Sequence, residues 1–117
     1  MTDDLTWLMN WYVAQCDGDW EHRFGLEIGT LDNPGWSLAI DLGGTPWQDR
    51  PFEKVSHNLT EDETIEGPSG EKHWWVADVE GSTFKAFGGP RDLRAMISAF
   101  REWVEPPGPE AGREWMN

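Results

Sequence analysis

Residues 23–42 read RFGLEIGTLDNPGWSLAIDL. Phe24, Leu26 and Ile28 alternate with Arg23, Gly25 and Glu27. Beyond the turn formed by Leu31, Asp32, Asn33, Pro34 and Gly35, the residues Trp36, Leu38, Ile40 and Leu42 alternate with Ser37, Ala39 and Asp41. A period of two with a Pro-Gly turn between its halves predicts an antiparallel hairpin with one wet face. Further along, residues 74–79 and 83–87 predict a second hairpin that turns at Glu80, Gly81 and Ser82, with Trp75, Ala77 and Val79 on one face. A less regular strand is predicted over residues 52–57.

Helices flank these strands. Asp3 or Asp4 can cap the first, by accepting free backbone N–H groups. Leu5, Leu8, Met9, Tyr12, Val13 and Cys16 follow helical spacing and predict its core-facing stripe. Gly18 is the predicted terminator. Trp7 and Trp11 lie nearly opposite the centre of that stripe and form a separate two-tryptophan ridge. Either another part of the chain covers the ridge, or a partner does. Gly88-Gly89-Pro90 predicts the start of the last helix, with Pro90 in its first turn. Its stripe is Leu93, Met96, Ile97, Phe100, Trp103 and Val104, and it ends at the prolines that begin with Pro106. The expected fold is α+β: an antiparallel sheet of four to five strands with the N-terminal and C-terminal helices packed on one face. Residues 1–105 are expected to form a single domain. Residues 60–72 read as a mobile acidic loop, and residues 106–117 as a disordered tail rich in Pro and Gly.

The chain has 117 residues and a net charge of −13, with 22 acidic and 9 basic residues. Such a surface repels phosphate backbones and anionic lipid, so neither direct nucleic-acid binding nor membrane association is expected. A basic protein partner is favoured. An acidic start and the absence of a long apolar run predict a cytoplasmic protein. Nine tryptophans in a chain only 38% hydrophobic mean that aromatic rings must supply much of the core area. Tryptophan is also a preferred interface anchor.

The seven residues CDGDWEH at 16–22 concentrate groups capable of chemistry. They lack the ligand order of a calcium loop and the paired spacing of a zinc site, and no metal or cofactor is expected. Nucleophilic thiol chemistry needs a helix N-terminus or a cation beside the sulfur. Cys16 is predicted at a helix C-terminus among carboxylates, on the apolar stripe, and reads as a small buried core residue. His22 is expected to enter a strand as a structural hydrogen-bonder. Asp17 or Asp19 can bond backbone N–H groups of the turn. No serine elbow and no phosphate-cradling loop is present.

Taken together, Trp7-Leu8, Trp11-Tyr12, CDGDWEH and Gly25, then LDNPGW at 31–36, resemble the immunity protein 53 family of bacterial polymorphic toxin systems. Phe52-Glu53-Lys54, Gly88-Gly89-Pro90 and FREWV at 100–104 are weaker echoes of it. The long loop at 60–72 and the proline-rich tail depart from the family pattern. The resemblance implies a non-enzymatic protein that binds the toxic domain made beside it and blocks it, the toxins being often nucleases or other enzymes acting on the cytoplasm. On that reading Trp7, Trp11, Asp17, Asp19, Trp20 and Glu21 are candidate toxin contacts. Glu61, Asp62, Glu63 and Glu66 form an acidic flank, and the partner is a cognate, basic toxin domain. Two other readings stay open: a small enzyme using Cys16 or His22, for example in sulfur transfer, and a structural module that self-associates through the Trp7–Trp11 ridge. The sequence leaves the oligomeric state open.

Overall fold

Asp3 opens the first helix by accepting the Thr6 amide on Oδ1 at 2.7 Å. The structure is a computed structural model that describes residues 3–32, 34–58 and 73–105. The expectations placed on residues 60–72 and 106–117 therefore lie outside the described residues. Helix α1 spans Asp4–Gln15 and a short α2 spans Trp20–Arg23. Strands β1 (Leu26–Leu31) and β2 (Gly35–Asp41) form the first hairpin. Strand β3 (Val55–His57) follows, then β4 (Trp75–Glu80), β5 (Thr83–Gly88) and α3 (Leu93–Val104). The strands make one antiparallel five-stranded sheet in the order β1-β2-β5-β4-β3. This is the expected α+β arrangement.

The register puts Leu26 opposite Ile40, Ile28 opposite Leu38, Ala77 opposite Ala86 and Val79 opposite Phe84. Paired residues share a face, so these side chains form the helix side of the sheet. Helix α3 lies over β2, β4 and β5, and α1 packs on α3. Met96, Ile97, Phe100 and Val104 bury the α3 stripe, as its spacing predicts. Close approach of α3 needs Gly88, where a β-carbon would stand 2.8 Å from the Met96 sulfur and 3.1 Å from the Trp74 carbonyl.

Aromatic rings build much of this core. Phe100 takes Trp11 at 5.0 Å and Trp7 at 5.9 Å edge-on, and Phe84 in a tilted contact at 5.0 Å. Trp11 also meets Trp20 at 6.1 Å and Trp47 at 5.9 Å. Each such ring contributes about 1.5–3 kcal/mol through burial, and edge-to-face contact adds to that. Several indole N–H groups tie distant elements together. Trp7 donates to Glu105, Trp20 to the Gly43 carbonyl, Trp36 to Pro90 and Trp103 to Pro51, all at 2.8–2.9 Å.

Three expectations about α1, α3 and Cys16 need correction, and the strand expected over 52–57 is confined to Val55–His57. The first is the face of α1 that points inward. Trp7 and Trp11 are 7% and 5% exposed, whereas Met9 and Val13 are 53% and 65% exposed. The ridge faces the core and the aliphatic stripe faces out, Leu8 alone of that stripe being buried. The indoles bring more apolar area, Trp7 adds a polar handle that Glu105 accepts, and Arg101 fixes the same seam by donating to Asp4 at 3.1 Å. Little of either indole is therefore left exposed among the described residues. The second correction is that α3 begins at Leu93, not around Pro90. Gly89 and Pro90 turn the chain, and Asp92 takes the N-cap position. The third is Cys16, which is half-buried rather than part of the core and donates its thiol to the Tyr12 carbonyl at 3.3 Å.

Candidate partner-binding face

Seating α1 on its tryptophan side turns Leu5, Met9, Tyr12 and Val13 outward. Among the described residues, strand β1 lies at one edge of the sheet, and its helix-side residues Leu26 and Ile28 reach past the elements that α3 covers. Between α1 and β1 runs an apolar groove of about 440 Å³, lined by these side chains with Leu8 and Gly25. A folded surface generally disperses its exposed apolar residues; here they are contiguous and large.

Carboxylates stand at both ends. Leu5 is shared with a neighbouring hollow that Asp3 and Asp4 line. Asp3 is held below its ordinary carboxylate range, first by the Thr6 amide and then by the Thr6 hydroxyl. At the other end Tyr12 meets Trp20 edge-on at 6.0 Å. Its phenol is pushed above the usual range, first by Cys16 and to a smaller extent by the charge of Glu21.

The CDGDWEH turn builds that second end. Asp17 Oδ1 accepts the amides of Asp19 and Trp20, each at 2.9 Å. Those bonds, Trp20 first and then Asp19, lower the Asp17 carboxyl below its ordinary value. Glu21 reaches back to accept the amides of Asp17 at 3.0 Å and Gly18 at 2.9 Å. This is the reciprocal logic of a capping box. Gly18 makes it possible with φ +94°, a conformation that other residues rarely adopt. Asp19 pairs with Arg23 at 2.9 Å across exposed side chains. The turn aims Trp20 inward, where its indole N–H closes onto Gly43. His22 is exposed on α2 instead of entering a strand.

The candidate contacts thus divide. Trp7, Trp11 and Trp20 come together in the core. Asp17, Asp19 and Glu21 come together at the surface turn beside the groove, their carboxylates engaged in local bonds. Glu61, Asp62, Glu63 and Glu66 lie outside the described residues. Sequence periodicity missed the groove itself, because it assigned the stripe of α1 to the interior. The available signal was that α1 carries large apolar residues on both sides, so packing one side leaves the other over.

The model of the immunity protein 53 family matches residues 5–105. The chain belongs to the immunity protein 53 family. No curated protein and no solved structure matches it. In this immunity protein the matched span takes in α1, the CDGDWEH turn, the whole sheet and α3, so both walls of the groove are family structure. Residues 106–117 fall outside the match. Among the described residues, no helix is long and apolar enough to cross a membrane, and no group of three or more His, Cys, Asp or Glu side chains is arranged to hold a metal ion.

Proposed function

We propose that this immunity protein neutralises a cognate toxin by stoichiometric contact in the cytoplasm, without chemistry of its own, and that the α1–β1 face meets the toxic domain. The observation that supports the reading most is the outward stripe Leu5, Met9, Tyr12 and Val13 on a chain whose net charge is −13. An apolar centre inside an acidic surround fits a basic protein surface: charge steers the encounter, and apolar burial holds the complex. A nuclease-type toxin domain has such a surface where it grips phosphate. Asp17, Asp19 and Glu21 act as the acidic margin of the face. Trp7, Trp11 and Trp20 support it from behind rather than touching the toxin. Glu61, Asp62, Glu63 and Glu66 are proposed as further acidic contacts on the strength of their sequence alone.

Co-expression tests this. Wild type protects cells from the toxin domain encoded beside it and co-purifies with that domain. Met9→Lys/Val13→Lys loses protection, while its melting temperature stays close to wild type, since surface substitutions change stability by only about 0.5 kcal/mol. A wild type that neither protects nor binds rejects the neutralising role. Full protection by the double variant moves the contact elsewhere on the molecule.

A further inference from the structure

We infer that the open edge of β1 receives an extended strand of the toxin, which continues the sheet while its alternate side chains fill the groove. The inference rests on the neutralising role proposed above and specifies how the toxin is held.

Backbone direction carries it. The Asp41 amide donates to the Gly25 carbonyl at 2.9 Å, so Gly25 turns its polar groups toward β2. In an antiparallel pair that orientation alternates along the strand. Glu27, Gly29 and Leu31 therefore also face β2, and the N–H and C=O groups of Leu26, Ile28 and Thr30 face outward. Among the described residues no strand pairs with them. Proteins ordinarily blunt such an edge by keeping it short, by proline or by inward charge. The opposite edge, β3, is three residues long. Strand β1 has six residues, no proline and a single charge, Glu27. Among the described residues it is left open where the apolar groove begins.

The chemistry of the occupant follows from the same register. Side chains of an added strand that lie opposite Leu26 and Ile28 fall on the helix side of the sheet and enter the groove, so they are apolar. The side chain opposite Glu27 falls on the other face, where Lys or Arg pairs with it. The occupant is thus an extended segment with apolar residues at alternate positions and a basic residue between them. A second copy of this chain fits less well, because each copy carries −13 and brings Glu27 rather than a cation.

The test uses the full chain and the adjacent toxin domain. Thr30→Pro deletes one outward N–H at an edge position that tolerates proline. With its fold confirmed by a thermal melt, it should bind the toxin domain about tenfold to a hundredfold more weakly, the range for one unsatisfied partner at a buried bond. Independently, amide exchange of the wild-type complex should show new protection at Ile28 and Thr30. Glu27 and Gly29 should be protected already in the free protein. Unchanged affinity of folded Thr30→Pro, or no gain at Ile28 and Thr30, overturns strand addition; if Met9→Lys/Val13→Lys still loses binding, the face survives that result. If neither variant weakens binding, both readings fall. Protection at these amides that rises with concentration of the protein alone assigns the edge to a second copy, and also overturns the proposal.

Discussion

Asp92 joins two parts of the chain that no local pattern connects. Its Oδ2 accepts the buried Trp74 amide at 3.0 Å and its Oδ1 meets His73 Nδ1 at 2.9 Å, so the start of β4 is fixed to the start of α3. Asp92→Ala leaves the Trp74 amide buried and unpaired, and should lower unfolding free energy in urea by about 1–3 kcal/mol. Asp92→Asn keeps an acceptor and should lose less. Nothing in the sequence marks this aspartate, since an acid near a helix start reads as an ordinary cap. The tryptophans were legible as a group and illegible singly. Their number says that indoles must supply core area. It does not say that Trp7, Trp11 and Trp20 would all turn inward, because an indole suits an interface as well as an interior.

Elements differ in how clearly they announce themselves. The strands β1 and β2 were readable because one face is wet, which forces a period of two and permits a single register. Helix α3 was readable for the same kind of reason, with one apolar stripe against a polar remainder. Helix α1 has apolar residues on both sides, so periodicity names a helix without naming its inner face; the bulk of Phe100 and the acceptor on Glu105 decide that in three dimensions. The CDGDWEH turn carries a pH dependence of its own. Asp17 has a depressed carboxyl in the folded turn, so the unfolded chain binds protons more readily. The stabilisation is complete above the ordinary aspartate range and is lost as pH falls through the depressed value. Exchange of the Trp20 amide, corrected for its intrinsic rate, should therefore accelerate on acidification below the ordinary aspartate range. Asp17→Asn should flatten that dependence.

For the molecule as a whole, the proposed function divides the labour of binding between charge and apolar contact. With −13 on the chain, the association rate with a basic toxin domain should fall by roughly an order of magnitude or more between about 10 mM and about 500 mM salt, as screening shortens from about 30 Å to a few ångströms. The dissociation rate should change little, because the groove proposed to hold the complex is apolar. Stopped-flow mixing at several salt concentrations reads both; an association rate indifferent to salt would refute steering. The layered plan was visible in the order of helix, strands and helix. The groove was not, because it arises from how far α1 sits from the sheet edge, a distance set by the rings beneath it.

The outward stripe of α1 has a consequence for descent. Its side chains hold almost none of the interior together, so exchanging one for another leaves the scaffold nearly as stable as before. If the proposed contact face is the true one, a lineage could change which poison it resists by editing a few surface positions, while the indole-packed interior stays fixed and keeps every variant foldable.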